Sequence, residues 1–399
     1  MTQIVTIFVD ALKPDSLKYM DFLGQLESQR IATELGYSNT CHASMYSGVP
    51  PKDHKYWFIW EYNSRNSPFS NLQNFPKIEH LNSNPYLKYA LYNTLQYFKN
   101  KEVLAGFPLL AAQPLSKWHN FSGKVVSPYC GPNDSISGYP TVFALLKKAN
   151  VQTSYNFCDI GSLVKTFHSS QSHNPGKTDV FRYYFIGEID TLSHKYGYNA
   201  KPTVDMLMQL DKAIESVYSE LEKQGDDVLF FVYSDHGHET VANEVDLIKV
   251  FKSCGRNIKE YLHFIDTNFA RFWCETPGQA EEIIRTLTLI EDKGFILNND
   301  HYTKYNVSMP DNRYGDIIFY LEKPNIFTHE SIKVLGKERT TKIVSMHGYL
   351  PDHPEMDGVL VANKKVIGNE KVKLIDIAPS VLSNLNVCVP SQMKGKQLW

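Results

Sequence analysis

The segment Ile4-Val5-Thr6-Ile7-Phe8-Val9-Asp10, close to the start of the chain, decides the fold. Its first six residues are β-branched or aromatic, and they are too few for a helix. A run that is apolar on both faces is typical of a central strand in a parallel sheet covered by helices. Asp10 follows directly and therefore lies at the carboxyl end of the predicted strand.

The same arrangement returns at two later places in the chain. The segment from Val180 to Ile186 predicts a second buried strand, and Asp190 comes shortly after it. The segment from Val228 to Tyr233 predicts a third strand, which is followed by Asp235 and His236. Each of the three predicted strands thus ends close to a carboxylate.

An amphipathic helix is predicted between the second and third strands, ending near Gly225. Apolar residues recur there at spacings of three and four, at Leu207, Leu210, Ile214, Val217 and Leu221. A strand, a helix and a strand in this order indicate an α/β fold with a mostly parallel central sheet and helices on both faces. Ligands bind beyond the carboxyl ends of such strands, so the three acidic clusters should be neighbours.

The character of the sequence changes from about Tyr261 to Tyr320. A strand-like segment from Phe269 to Cys274, a helix-like one from Pro277 to Ile290 and a strand-like one from Asp316 to Leu321 indicate a small α+β insertion. The predicted division is therefore a catalytic core at 1–255, a cap insertion at 256–340 and the second part of the core at 341–399.

Residues from about 55 to 140 form a second predicted excursion from the sheet. They are rich in Asn, Ser, Pro and aromatic residues and show only weak periodicity. Many of the aromatic residues lie between Tyr56 and Phe98. They could wall a pocket, but we expect them to pack in a core.

The composition is that of an ordinary globular chain. Its 399 residues carry 41 Lys and Arg against 43 Asp and Glu, and a net charge of -2 provides no general attraction for nucleic acid or anionic lipid. Because Asp10 interrupts the first apolar run, we expect no signal peptide, no membrane span and a cytoplasmic location. The six cysteines include no C-x-x-C pair, so we expect reduced thiols.

Three blocks of the sequence carry side chains that bind metal ions. Asp190 and His194 stand four residues apart, so one turn can aim both at a single cation. The segment Asp235-His236-Gly237-His238 follows a buried strand, where ionisable groups are rare unless a metal ion or a substrate offsets their desolvation. His347 provides a further imidazole.

Oxygen and nitrogen ligands without thiolates suit zinc, with manganese as the next choice. The candidate ligands are enough for two ions and comprise Asp10, Asp190, His194, Asp235, His236 and His347. Two metal ions about 3.5 to 4 Å apart clamp the attacking and departing oxygens of an in-line displacement at phosphorus. The pattern therefore predicts a two-metal site for phosphoryl transfer.

Such a site needs a nucleophile, and the segment from Gly36 to His42 offers two hydroxyl groups. Ser38 and Thr40 both lie where a helix is predicted to begin. The first backbone N–H groups of a helix can hold a phosphate oxygen. Chemistry alone leaves the choice between the two residues open.

Together these residues resemble the type I phosphodiesterases and nucleotide pyrophosphatases of the alkaline phosphatase superfamily. The resemblance runs almost from end to end, and its elements stand in the family order. The matching elements are Asp10, the segment from His42 to Gly48, Pro51, His54, Asp190, His194, Asp235, His236, His347 and the tail with Leu374 to Ser380 and Gly395 to Leu398. The resemblance implies an alkaline phosphatase-like fold and hydrolase activity.

The resemblance also implies a role for each site residue. The implied ligands of one zinc ion are Asp190, His194 and His347, and those of the other are Asp10, Asp235, His236 and the nucleophile. In the family, the nucleophile lies ten residues before the glycine matching Gly48 and four before the histidine matching His42, which gives Ser38 rather than Thr40. We leave His238 and His353 out of the metal set, because the family does not fix them as ligands, and we expect each to contact a ligand or to face solvent.

Two departures from the family pattern leave the substrate open. The Pro-Asn pair usual between nucleophile and histidine is absent, and the aromatic stretch Trp57-Phe58-Ile59-Trp60 replaces an active-site Asn. No Arg follows the nucleophile to neutralise a phosphomonoester dianion, which favours a diester or a pyrophosphate.

The predicted function is a two-metal hydrolase that cleaves a phosphodiester or pyrophosphate bond of a small, nucleotide-type substrate. Ser38 forms a covalent phospho-enzyme in this prediction. A phosphonate or phosphomonoester hydrolase of the same superfamily is one alternative, and an inactive binding protein stabilised by metal ions is another. A sulfatase is disfavoured because Cys or Ser followed by x-Pro-x-Arg is missing after Tyr37. The oligomeric state stays open.

Overall fold

The computed structural model describes residues 2–75, 84–99, 107–126, 134–171, 179–224, 227–328, 333–334, 337–338, 342–368 and 370–399. Cys130 and the predicted helix end at Gly225 lie outside the described residues. The chain divides into two compact units. The first comprises Met1–Lys55, Val126–Thr240 and Ile343–Trp399, and the second comprises Tyr56–Val125 and Val241–Lys342.

The first unit is built on a seven-stranded sheet. In spatial order its strands are Val372–Lys373, Glu27–Ala32, Gly358–Ala362, Asp227–Tyr233, Thr2–Val9, Val180–Ile186 and Gln152–Phe157. Gly358–Ala362 runs antiparallel to both neighbours, whereas the other described pairings are parallel. The predicted mostly parallel sheet is confirmed, with Thr2–Val9 inside it.

Helices cover both faces of this sheet. On one face, Val5, Ile7 and Val9 pack with the predicted apolar stripe of the long helix Lys201–Gln224. On the other face, Tyr183 contacts Tyr46 of a second helix, with ring centroids 5.9 Å apart. The helices of this unit are Ser38–Ser47, Pro51–His54, Val142–Lys148, Leu163–Gln171, Glu188–Tyr196, Lys201–Gln224 and Ile377–Asn384.

Short elements complete the first unit. Two small antiparallel ladders join Ser135–Ile136 to Tyr139–Pro140 and Glu239–Thr240 to Ser345–Met346. The 3-10 helices are Pro14–Tyr19, Leu23–Gln25, Ile160–Ser162, Pro354–Met356 and Leu374–Asp376. The ladder with Ser345–Met346 brings a late part of the chain beside the segment that follows Asp227–Tyr233.

The second unit contains a four-stranded antiparallel sheet. Its strands, in spatial order, are Leu262–Ile265, Phe269–Trp273, Ile317–Leu321 and Gly294–Ile296. The paired short strands are Trp60–Tyr62 with Phe121–Gly123, Asn243–Val245 with Asn325–Phe327, and Lys333–Val334 with Lys337–Glu338. The elements expected in the insertion appear with ends that differ by one to three residues.

Helices pack beside this sheet, as the α+β prediction requires. They are Pro85–Lys99, Phe107–Ala111, Leu247–Ser253, Pro277–Leu287 and Asn299–Lys304, with 3-10 helices at Ser70–Asn74, Leu115–Asn120, Ile258–Glu260 and Thr288–Ile290. The observed division differs from the predicted one. Residues 56–125, predicted as an excursion from the core, join 241–342 in the second unit, and residues 126–140 belong to the first unit.

Aromatic residues of the 56–125 segment form a core of the second unit. Trp60, Phe69, Tyr92 and Trp118 are buried in one cluster, which Phe264 of the later segment joins. This confirms that these residues pack as core. Burial of large aromatic side chains removes apolar area from water, and this is a main source of stability for the second unit.

The described cysteines form no disulfide bond. In the described part of the chain, every helix falls short of the length or the apolar character that crossing a membrane requires. The cytoplasmic location stays a prediction.

Candidate metal centre and active site

The predicted ligands come together in the first unit, at the carboxyl ends of three adjacent strands. These strands are Thr2–Val9 and its two parallel neighbours, Val180–Ile186 and Asp227–Tyr233. Parallel neighbours end at the same edge of a sheet, so the segments that follow them meet. Asp10, Asp190 and Asp235 lie in those segments.

The backbone fixes Asp10 and Asp235 beside His236. The N–H of Asp10 donates to the carbonyl of Ile186 at 2.9 Å and so continues the ladder past the strand. Ala11 then turns the chain with a left-handed φ of 65°, and its N–H points to Asp235 Oδ1 at 3.5 Å. His236 Nε2 lies 3.5 Å from Asp10 Oδ1 and 3.3 Å from Asp235 Oδ2. The three side chains form one ligand group.

Asp190 is the centre of a second ligand group. Asp190 and His194 lie one turn apart on the helix Glu188–Tyr196, with 3.2 Å between Asp190 Oδ1 and His194 Nε2. The Nε2 atoms of His347 and His238 lie 3.7 Å and 2.8 Å from the same oxygen. Three imidazole nitrogens therefore face one carboxylate oxygen.

His347 brings the two groups next to each other. It directly follows the strand Ser345–Met346. Its ring stacks on that of His236, with centroids 3.9 Å apart and planes 10° from parallel. The two ligand groups are therefore adjacent, as the short spacing between the ions of a two-metal site requires.

Of the two candidate nucleophiles, Ser38 lies at the Asp10, Asp235 and His236 group. It is the first residue of the helix Ser38–Ser47, and its Oγ is 2.9 Å from His236 Nε2. Ser38 does not cap this helix, because Tyr37 holds the N-cap position and no side-chain cap bond forms. Thr40 lies in the first turn and is fully buried.

Burial disfavours charge on the ligand group of Asp10, Asp235 and His236. It raises the pKa of Asp10 well above the usual range, and the carboxylates of Asp235 and Asp190 raise it further. Burial likewise raises the pKa of Asp235 to about 6 and lowers that of His236 to about 4. Buried carboxylates of this kind need a nearby cation to hold their charge.

The second group holds one stable negative charge. Burial acts to raise the pKa of Asp190, but the imidazoles of His194, His238 and His347 outweigh it and hold that pKa well below the usual range. Burial lowers the pKa of His347 well below its usual range. A carboxylate anion beside a neutral imidazole is the combination that binds a divalent cation.

The donor set fits divalent cations. Asp10 Oδ1 and Asp235 Oδ2 are buried and make no hydrogen bond within the described part of the chain. Buried polar atoms are rarely left in this state, and a bound cation satisfies such oxygens. Carboxylate oxygens and imidazole nitrogens are the usual ligands of catalytic zinc and are also suitable for manganese.

The structure brings all seven predicted site residues together: Asp10, Ser38, Asp190, His194, Asp235, His236 and His347. Their individual roles stay predictions. His238 was left out of the metal set but lies in the Asp190 group, whereas His353 lies in neither group. Because Glu239 pairs with Met346, His238 stands opposite His347, and this pairing of two distant segments has no signal in the local sequence.

The chain is similar to known proteins over almost its whole length. The family described as type I phosphodiesterase / nucleotide pyrophosphatase matches residues 36–350. No curated protein gives a significant match. Human ectonucleotide pyrophosphatase / phosphodiesterase 5 is similar in structure, with a TM-score of 0.66 at 10% sequence identity over 98% of this chain and 97% of that chain.

The murine protein of the same name is similar to a like extent. One of its structures has a TM-score of 0.63 at 10% identity, over 98% of this chain and 97% of that chain. Another, an inactive variant with alanine in place of a threonine, in complex with AMP, has a TM-score of 0.64 at 10% identity, over 99% and 98% of the two chains. These similarities show that the fold is alkaline phosphatase-like.

Proposed function

Because the chain belongs to the type I phosphodiesterase / nucleotide pyrophosphatase family and is thus a hydrolase, we propose that Ser38 is the nucleophile that cleaves a phosphodiester or pyrophosphate bond. One observation carries the proposal. Ser38 Oγ lies 2.9 Å from His236 Nε2, beside two buried carboxylates at the start of a helix. A hydroxyl group in this place meets both a ligand group and the positive end of a helix dipole.

The proposal includes two divalent cations, zinc or manganese. One would be held by Asp190, His194 and His347, and the other by Asp10, Asp235, His236 and Ser38. When bound, the cations lower the pKa of a coordinated hydroxyl group and offset the negative charge on the phosphoryl oxygens. The buried oxygens of Asp10 and Asp235 that make no hydrogen bond support this assignment.

The residues of the chain orient the reacting groups. His236 Nδ1 lies 3.2 Å from the carbonyl of Gly237, so Nδ1 carries the hydrogen, and the lone pair of Nε2 is on the side of Ser38 Oγ, as two ligands of one cation require. This contact holds Ser38 Oγ at the ligand group. The first backbone amides of the helix Ser38–Ser47 stabilise the phosphoryl oxygens.

The reaction proceeds in two displacements. In the first, a bond forms between Ser38 Oγ and phosphorus, the bond from phosphorus to the leaving oxygen breaks, and the leaving oxygen takes up the proton that the hydroxyl of Ser38 gives up. In the second, water attacks phosphorus, the bond from phosphorus to Ser38 Oγ breaks, and one proton of the water restores the hydroxyl of Ser38. The murine relative, whose inactive variant lacks a threonine hydroxyl and is in complex with AMP, supports a hydroxyl nucleophile and a nucleotide-type substrate for this chain.

Substitution of Ser38 and Thr40 tests the nucleophile. Ser38→Ala should abolish turnover of bis-p-nitrophenyl phosphate while the metal content of the protein stays intact. Ser38→Thr, which keeps a hydroxyl group, should retain measurable turnover, and Thr40→Ala should keep the activity of the parent protein. If Ser38→Ala keeps full activity and Thr40→Ala loses it, the assignment is wrong.

A comparison of substrates tests the reaction class. We expect turnover of the diester to exceed that of p-nitrophenyl phosphate and of phosphonoacetate, all measured on the same zinc-loaded protein. A faster reaction with the monoester or the phosphonate would instead support the alternative hydrolases of the superfamily.

A further inference from the structure

His238 and Ser345 are two buried residues at the Asp190 ligand group that the proposed reaction does not use. Each is 1% exposed. His238 lies two residues after His236, and Ser345 lies two residues before His347. Both therefore stand near a proposed ligand. Ser345 lies in one strand of a small antiparallel ladder, and His238 directly precedes the other strand.

Distances separate His238 from the other histidines of the group. Donor atoms bound at 2.0 to 2.2 Å to one tetrahedral zinc ion lie roughly 3.3 Å apart. The Nε2 atoms of His194 and His347 have about this spacing from Asp190 Oδ1, at 3.2 Å and 3.7 Å. His238 Nε2 is closer, at 2.8 Å, which is the length of an N–H···O bond to a carboxylate. His238 is thus placed to donate a hydrogen bond to Asp190.

Ser345 contacts two of the three histidines that face Asp190, through different atoms. Its carbonyl lies 2.9 Å from His194 Nδ1, and its Oγ lies 3.0 Å from His238 Nδ1. A carbonyl only accepts, so His194 carries a hydrogen on Nδ1, and the neutral ring then keeps the lone pair of Nε2 for a cation. That tautomer is the one a metal ligand needs.

The hydroxyl group of Ser345 can donate, so His238 can hold the opposite tautomer. When Ser345 Oγ donates to Nδ1, the hydrogen of a neutral His238 is on Nε2, which faces Asp190 Oδ1. The carbonyl of Glu239 lies 3.0 Å from the same Oγ and is a competing acceptor. The 2.8 Å contact between His238 Nε2 and the carboxylate favours the first arrangement, because two facing lone pairs would repel at that distance.

We propose that His238 is a positioning residue: the hydroxyl of Ser345 donates to His238 Nδ1, and His238 Nε2–H donates to Asp190 and orients that carboxylate for a divalent cation. The inference rests on the metal site of the proposed function. Partners that orient a metal ligand in this way typically contribute 10- to 100-fold to metal affinity.

Variants of His238 test the inference through metal affinity. His238→Met keeps a side chain of similar size without a donor, and it should weaken the binding of one of two zinc ions roughly 10- to 100-fold. His238→Gln retains an amide N–H and should stay within a few-fold of the parent protein. Zinc per chain is measured by elemental analysis across chelator-buffered zinc concentrations, and excess zinc should restore the turnover of His238→Met.

A matched control and a double-mutant cycle make the test specific. His263 is a buried histidine of the second unit, and His263→Met should leave zinc affinity unchanged. Ser345→Ala should weaken binding of the same zinc ion. Added to His238→Met it should cause no further loss, because the hydroxyl of Ser345 acts through His238.

Cobalt substitution separates a positioning residue from a ligand. The visible absorption of the cobalt-loaded protein should be the same in the parent protein and in His238→Met, because the ligand set is unchanged. A changed cobalt spectrum, additive effects of the two substitutions, or unchanged zinc affinity in His238→Met would each overturn the inference. A parent protein that binds no zinc would instead refute the proposed function itself.

Discussion

Replacing Asp235 with asparagine should make the metal-free protein more stable and, at the same time, remove most of its stabilisation by zinc. The side chain of Asp235 is fully buried, and its Oδ2 makes no hydrogen bond within the described residues. Without a cation, the fold must therefore bury a charge that nothing neutralises. The neutral amide of asparagine removes that charge, but it also removes an anionic ligand of the proposed metal site.

The size of the effect follows from the pKa of Asp235. Burial raises that pKa to about 6 from an ordinary value of 3.8. A tenfold change in proton affinity is worth about 1.4 kcal/mol, so keeping the carboxylate ionised at pH 8 costs the metal-free fold on the order of 3 kcal/mol. The folded chain holds this proton more tightly than the unfolded chain, so the metal-free protein loses stability as pH rises from 3.8 to about 6.

Thermal denaturation at pH 8 measures both parts of the prediction. The chelator-treated Asp235→Asn protein should melt above the chelator-treated parent, and added zinc should raise its melting temperature far less. Asp211→Asn is a matched control with the opposite expectation, because this buried carboxylate accepts the N–H groups of Phe22 and Leu23 at 2.8 and 3.0 Å. A lower melting temperature for metal-free Asp235→Asn, or an undiminished response to zinc, would refute the reasoning.

Three further predictions follow from the same site. Zinc should raise the melting temperature more at pH 8 than at pH 5, because protons on Asp10 and Asp235 compete with the cation. Chelation should abolish diester turnover and added zinc should restore it, whereas an inert binding protein would lose only melting temperature. Gly237→Ala should abolish zinc binding, because its Cβ would lie 2.1 Å from the carbonyl of Glu355, whereas Gly161→Ala, with its nearest contact at 3.7 Å, should bind zinc normally.

The sheet and the ligand positions were accessible from the sequence because both depend on local patterns. Val180–Ile186 is buried along its whole length and is apolar or aromatic except at Arg182, and its observed limits equal the predicted ones. Once the strands are parallel, the residues after them must meet at one edge, so Asp10, Asp190 and Asp235 follow from the strand assignments. The tight turn at Ala11 and the stacking of His347 required coordinates.

The segments that build the second unit could not be predicted from the sequence in the same way. Its aromatic core joins residues that are far apart in the chain, such as Trp60, Trp118 and Trp273. Packing of this kind leaves no period in the local sequence, because each segment contributes only one or two buried residues. The weak periodicity of the 55–140 region therefore indicated an excursion without showing that it packs with 241–342.

The role of His238 depends on interactions that sequence patterns do not encode. Its spacing from His236 is the same whether it binds a metal ion, donates a hydrogen bond or faces solvent. The difference arises from Ser345, which lies more than a hundred positions later and contacts both His194 and His238. A tautomer fixed by such a contact appears only when the two segments pair.

Anomalous diffraction at the zinc absorption edge, from crystals of the zinc-loaded protein, tests the central claim most directly. The account predicts two peaks about 3.5 to 4 Å apart. One should lie among Asp190, His194 and His347, and the other among Asp10, Asp235, His236 and Ser38. The absence of a peak at these residues, or a single peak at full zinc occupancy, would contradict it.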